Sequence, residues 1–149
     1  MPEIRLLSLE DLPTLMNIEL AANLYPWTEG VFRSCFNQQY FNYGVFQHGQ
    51  LQGFYIGQFL GVESQLFNIA VAPQAQGQGF GKLLLAHFVA QSTERNALDA
   101  WLEVRATNQQ ALHLYQQAGF IETGRRNNYY VSAQGREDAL LMCLPLAFS

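Results

Sequence analysis

The apolar and polar positions of this chain divide it into short elements. Ile4 to Leu7 forms a strand-like run, and Ser8-Leu9-Glu10-Asp11 then has the spacing of a capping box. Asp11 to Ala22 repeats apolar residues at helical spacing through Leu12, Leu15, Met16 and Ile18 or Glu19, with Pro13 in its first turn. Tyr25-Pro26-Trp27 interrupts this helix, and Thr28 can cap a second one from Glu29 to about Asn37. Tyr43 to Gln47 and Leu51 to Phe59 read as strands joined by the turn His48-Gly49-Gln50. After Gly61 to Ser64, Gln65 to Val71 is the third strand of this meander, and Pro73 stops it. A glycine loop, Gln76-Gly77-Gln78-Gly79-Phe80-Gly81-Lys82, leads into a helix that carries leucines, Ala86 and Phe88 and runs to about Arg95. Ala100 to Arg105 alternates, with Trp101, Glu103 and Arg105 on one face and Leu102 and Val104 on the other. Asn108 is placed to cap a helix from Gln109 to Gln117, and Gly119 to end it. Phe120 to Arg125 is a strand; Asn127 to Tyr130 and Ser132 to Arg136 form a polar turn region; Asp138 to Leu144 is the closing strand before Pro145. The order βααβββαβαββ predicts an α/β fold, a single domain over residues 1–149 with a mixed sheet and helices on both faces.

Composition narrows the function. A chain of 149 residues, 49% apolar, has enough material for one sizeable core. Its net charge of −4 and the lack of any Lys or Arg run argue against direct nucleic-acid binding. Cys35 and Cys143 stand far apart and match no metal or redox spacing, as expected of buried thiols in a cytoplasmic protein without a metal. No apolar run approaches the ~20 residues of a membrane span, and the N-terminus lacks a signal-peptide core, so no membrane association is expected. His48 reads as a turn residue and His87 as a surface or packing residue.

The glycine loop carries the first chemistry. A helix N-terminus preceded by glycines offers unpaired N–H groups and the positive end of the helix dipole to a phosphate. A P-loop requires Ser or Thr after its lysine, and Lys82 is followed by Leu83. A dinucleotide fingerprint requires Gly-x-Gly-x-x-Gly, and this loop is one residue short of it. The run Gln76-Gly77-Gln78-Gly79-Phe80-Gly81 after Val71-Ala72-Pro73 resembles instead the coenzyme A loop of the GNAT acetyltransferases. Acyl transfer from such a thioester to an amine needs a docked donor, a neutral amine, an oxyanion donor and an acid for the thiolate. Backbone N–H groups of the strand Leu66–Val71, where it splays from its neighbour, are candidates for the pantetheine arm and the carbonyl. Glu103 is the candidate base; its other reading is an ion pair with Arg105 or another arginine. Tyr115 is the candidate acid, since a phenol with a pKa of roughly 10 stays protonated at neutral pH; its other reading is core. His113 is a rival, but about 160° away around a helix of ~3.6 residues per turn, so only one of the two can face a ligand.

The stretches YPWTEG, LFNIAVAP, QGQGFGKLLL, WLEVRATNQQALHLYQQAGF, RRNNYY and GREDALLM together resemble, in order and spacing, the RimI family of bacterial GNAT enzymes. These acetylate the N-terminal alanine of small-subunit ribosomal protein eighteen. The resemblance implies the GNAT fold, a mostly antiparallel sheet with a parallel, splayed strand pair at the acetyl-CoA site. It implies Glu103 as general base through water and Tyr115 as general acid. It also implies that Ile69, Ala70 and Val71 contact the acyl and pantetheine part, that Gln76 and Gly77 to Lys82 hold the pyrophosphate, and that Asn108 touches acetyl-CoA. The loop Tyr25–Glu29 and the turn Tyr129–Arg136 are placed to flank the peptide. An N-terminal amine suits one carboxylate working through water: neutralising it at pH 7 costs about 1.4 kcal/mol, against about 4.6 for a lysine. Other protein N-termini, a small-molecule amine such as a polyamine, and a silent acetyl-CoA-binding module remain alternatives. Scattered acids weigh against the second, and the presence of both Glu103 and Tyr115 against the third.

Overall fold

Alternation along β3 (Gln50–Phe59) gives it two buried faces, and the rest of the chain covers both. In this computed structural model, which describes residues 1–146, seven strands form one sheet in the order β1-β2-β3-β4-β5-β7-β6. The other strands are β1 (Glu3–Leu6), β2 (Tyr40–Gln47), β4 (Glu63–Val71), β5 (Asp99–Arg105), β6 (Ile121–Ser132) and β7 (Gly135–Pro145). The helices are α1 (Leu12–Ala22), α2 (Glu29–Ser34), α3 (Phe80–Glu94) and α4 (Gln109–Gln117). The single-domain expectation also covered residues 147–149, which lie outside the described residues.

Phe54 of β3 meets Phe32 of α2 at 5.7 Å between ring centroids, while its neighbour Tyr55 meets Phe88 of α3 at 5.7 Å. Adjacent strand residues point to opposite faces, so α2 and α3 lie on opposite sides of the sheet. Trp27 extends the α2 side, 5.1 Å from Phe32. On the α3 side the Tyr55 hydroxyl hydrogen-bonds Nδ1 of His87 at 2.8 Å, which gives that histidine the packing role expected of it. Helix α4 joins this side: a Cβ on Gly81 would stand 3.7 Å from Leu114. Cys35 and Cys143 are both free and buried.

Most elements agree with the sequence pattern, and the caps explain why. Thr28 accepts the Val31 N–H at 3.3 Å, and the Asn108 side chain accepts that of Ala111 at 3.2 Å. The Asp11 carboxylate accepts the Ser8 N–H at 2.9 Å, one half of a capping box, though it closes a short 3-10 turn, Leu9–Asp11, ahead of α1. Two expectations need correction. Helix α2 stops at Ser34, where the Ser34 hydroxyl turns back onto the Val31 carbonyl at 2.6 Å. The turn expected at Asn127–Tyr130 is part of β6, which continues to Ser132 through an irregularity between Arg126 and Tyr130. Asn128 takes a positive φ of 52° there, and the Asp138 carboxylate accepts its N–H at 2.9 Å and a bond from Arg125 at 2.6 Å. These bonds hold the Asp138 carboxyl below the usual range and let an Asn-Asn pair stay within a strand.

Gly53 of β3 lies close to both β4 and α3. A Cβ there would stand 2.8 Å from the Ala70 carbonyl oxygen and 3.2 Å from Leu84. Gly53→Ala is therefore expected to lower unfolding free energy by about 1–3 kcal/mol in urea titration; an unchanged midpoint would show that β3 and β4 separate there without cost.

Candidate active site

Strand β4 has a parallel partner for only part of its length. Glu63, Ser64, Gln65 and Leu66 pair with Asp99, Ala100, Trp101 and Leu102 of β5, and the parallel ladder ends there. On the other edge, Gly57 of β3 pairs with Leu66 while Ile56 pairs with Asn68, so Phe67 is an extra residue. A bulge bends and twists the strand that carries it. The ladder to β5 ends where the bulge begins, and residues 67–71 diverge. Ile69, Ala70 and Val71 stay paired with Tyr55, Phe54 and Gly53 on one side. Among the described residues their other backbone edge has no strand against it, which leaves N–H and C=O groups open to an extended ligand.

The glycine loop continues from this open edge. Gly77 and Gly79 have φ values of 83° and 86°, a left-handed conformation that costs other residues energy, and a Cβ on either would meet nothing within 4 Å. Both glycines are thus required for backbone shape, and the space in front of them is free. Gln76 Nε2 donates to the Val71 carbonyl at 3.0 Å and ties the loop to the end of β4. Gly79 caps α3, whose first internal bond runs from Leu83 N–H to the Gly79 carbonyl at 3.0 Å. The amides of Phe80, Gly81 and Lys82 precede it and have no partner within the helix. Phe80 has its side chain buried in the core, so only its backbone faces outward, whereas Gln78 and Lys82 are exposed. Asn108 spends its carbonyl oxygen on capping α4.

Glu103 opens into a cavity of about 440 Å³ lined with Trp27, Phe67, Trp101, Arg126, Tyr129 and Tyr130. Its Oε2 accepts from Arg126 Nε at 2.7 Å, with the two side chains 32% and 54% exposed. An ion pair with an arginine is therefore present, but the partner is Arg126 and not Arg105. Arg105 pairs with Glu137 at 3.3 Å and lies between the rings of Tyr25 and Tyr130, 3.8 and 4.4 Å from their centroids. The Tyr25 hydroxyl accepts the Ala133 N–H at 3.1 Å. The loop after α1 and the β6–β7 hairpin, both anticipated as flanks, thus meet beside the cavity. A larger cavity of about 520 Å³ lies between α1 and the β2–β3 hairpin, lined by Arg5, Asp11, Thr14 and Gln74 among others; it contains none of the anticipated site residues.

Tyr115 does not line the Glu103 cavity. It is buried on α4 with its ring 6.1 Å from that of Phe120, while His113 is exposed. Burial, with a smaller contribution from Tyr130, pushes its phenol well above the ordinary tyrosine value. Burial, and next the charge of Glu103, pushes Tyr130 up to about 12. Tyr130 thus stands under the influence of Glu103 and in turn acts weakly on Tyr115, a link that sequence reading missed. Glu103 faces the side of Trp27, and α4 packs on the side of α3. The two candidate side chains therefore lie on opposite sides of the sheet.

A bulged strand, a splay beyond it and a glycine loop on a helix N-terminus point to one superfamily, and comparison agrees. Residues 12–120 match the acetyltransferase (GNAT) family. The chain belongs to it. Among GNAT relatives, the [ribosomal protein bS18]-alanine N-acetyltransferase of Escherichia coli (strain K12) is 42% identical over 147 residues, 99% of each chain. That of Haemophilus influenzae is 41% identical over 133 residues, 89% of this chain and 90% of its own. The crystal structure of the Escherichia coli ribosomal-protein-S18-alanine N-acetyltransferase superposes with a TM-score of 0.95, covering 100% of this chain and 96% of the other. Ard1 from Thermoplasma volcanium, 23% identical, shares the fold with a TM-score of 0.88 over 99% of each chain. The protein is therefore a GNAT acetyltransferase. No helix among the described residues is long and apolar enough to cross a membrane, and no group of three or more His, Cys, Asp or Glu residues there could hold a metal.

The exposure of the Glu103–Arg126 pair decides how much it does for folding. Pairs this accessible contribute about 0–1 kcal/mol. Arg126→Ala is expected to change the urea unfolding free energy by less than ~1 kcal/mol; a loss of several kcal/mol would make Glu103 a structural residue.

Proposed function

We propose that this enzyme transfers the acetyl group of acetyl-CoA to the α-amine of the N-terminal alanine of small-subunit ribosomal protein eighteen, by direct attack. The observation that carries the reading is the position of Glu103, a carboxylate in an aromatic cavity beside the point where β4 leaves β5. The acceptor follows the relatives, which are named for that reaction and align along nearly the whole chain. The described residues serve as one catalytic domain, and cytoplasmic action fits an acceptor of this kind.

In this reading, the backbone of Gln76, Gly77, Gln78, Gly79, Phe80, Gly81 and Lys82 binds the pyrophosphate through helix-terminal amides. The open edge of Ile69, Ala70 and Val71 pairs with the pantetheine arm and polarises the thioester carbonyl. Asn108, at the start of α4, stands toward the same ligand. Glu103 takes a proton from the incoming ammonium through water, and the neutral amine attacks the carbonyl carbon. As the tetrahedral adduct collapses, the C–S bond breaks, Tyr115 protonates the departing thiolate, and the second proton that the attacking nitrogen sheds returns through water to the tyrosine. The burial that keeps this phenol protonated also raises a thiol held beside it. The ordinary values of a phenol and a thiol lie one to two units apart, so donation to the nascent thiolate starts from a small gap. Base and acid on opposite faces suit this order: the amine arrives from the side of Trp27 and the thiol leaves on the side of α4.

The test is acetyl transfer to two peptides. One copies the ribosomal protein's N-terminus with a free alanine; the other has a blocked N-terminus and an internal lysine. Transfer to the first alone is expected. Transfer to neither, with acetyl-CoA still bound, would redirect the reading to a small amine or to a binding module. Two variant results should accompany it. Glu103→Gln should lower kcat/KM by about 10²–10⁴ at neutral pH, and Tyr115→Phe should lower kcat with little change in KM for acetyl-CoA. Gly79→Ala should weaken CoA binding about tenfold in calorimetry, because the free loop relaxes to escape ~1–2 kcal/mol of left-handed strain that binding must restore; wild-type affinity would remove the loop from the binding site.

A further inference from the structure

Glu19 is a charged residue of α1 with no solvent exposure. Among the described residues it forms no salt bridge. It is satisfied instead by three neutral donors: Oε2 accepts the Trp27 N–H at 2.9 Å and Asn23 Nδ2 at 3.2 Å, and Oε1 accepts Asn68 Nδ2 at 3.2 Å. A buried carboxylate is costly unless such bonds are made, so their arrangement is informative.

Each donor belongs to a segment that shapes the acceptor side. Trp27 lines the Glu103 cavity. Asn68 follows Phe67, the bulged residue after which β4 departs from β5. Asn23 in turn accepts the Tyr25 N–H at 3.1 Å, and Tyr25 covers Arg105. One carboxylate thus links α1, the loop that forms one wall of the cavity, and the splayed strand that forms its edge. The glycine loop is not among its partners.

We infer that Glu19 is a positioning residue for the acceptor: its carboxylate sets the spacing between the Trp27 loop and the diverging part of β4 without touching substrate. The inference rests on the proposed function for its kinetic consequence. Loosening this link should affect the acceptor and spare the donor, because acetyl-CoA is bound by the glycine loop and the outer part of β4. The carboxylate's role is geometric, so glutamine can replace it. Its oxygen accepts from Trp27, and its NH₂ donates to Asn68 once that amide turns over.

The test combines kinetics with a readout that needs no acceptor. Glu19→Ala should raise KM for the alanine peptide about tenfold, with KM for acetyl-CoA unchanged, as expected when buried donors lose their acceptor. Asn68→Ala, which removes only the link to β4, should move the same constant in the same direction, and it carries the test if Glu19→Ala does not fold. Glu19→Gln should restore the acceptor KM. In a Trp101→Phe background, acrylamide quenching of Trp27 should rise in Asn68→Ala and stay at the parental level in Glu19→Gln. Equal effects on both substrates, or Glu19→Gln as impaired as Asn68→Ala, would overturn the inference, as would unchanged Trp27 quenching in Asn68→Ala. A parent enzyme that ignores the peptide would count against the proposed function, and the quenching result would still decide the role of Glu19.

Discussion

Strand β4 carries an extra residue, Phe67, on its β3 edge, and its pairing with β5 ends at Leu66, where this bulge begins. The site depends on this constraint. A sheet normally satisfies both backbone edges of an interior strand, and an unpaired interior edge is costly unless a ligand or water completes it. Here the free edge leads directly into a loop whose glycines and helix terminus are also short of hydrogen-bond partners. Open backbone groups thus lie at both ends of this connection, at the splay and at the start of α3, while the turn between them is closed by its own bonds.

Two faces of one sheet border that gap. Glu103 opens toward it on the Trp27 side, while Tyr115 is buried on α4, on the α3 side, so strand alternation and helix packing separate the two candidate proton carriers. Rings of Tyr25 and Tyr130 around Arg105 join the α1 loop to the β6–β7 hairpin beside the acceptor cavity. The cavity is therefore formed by side chains far apart in sequence and held by a few polar contacts. The bonds to Asp138 and Glu19 recur at the points where the backbone departs from regular geometry.

Local signals were legible in the sequence. The strand–glycine–helix order, the caps at Thr28 and Asn108 and the alternation of Trp101 to Arg105 all depend on neighbours within a few residues. What was illegible depends on distant partners. Asn127-Asn128 has turn chemistry, and only Asp138 from the facing strand keeps it in β6. Glu103 was open to pairing with several arginines, and the one that pairs is Arg126, brought to it by β6 across the sheet. Glu19 sits at an apolar position of α1 by spacing, and nothing nearby in sequence shows that Asn68, on another element, completes its shell. Tyr130 likewise lines the cavity of Glu103, which is not near it in the chain.

Direct attack across the splay requires donor and acceptor to be bound together, and the two cysteines, both buried, are poorly placed to carry an acyl group. The most direct test is the initial-velocity pattern with acetyl-CoA and the alanine peptide both varied, with the intact mass of enzyme incubated with acetyl-CoA alone as its companion. The account predicts intersecting lines and an unchanged mass. Parallel lines together with an acetylated enzyme would contradict it.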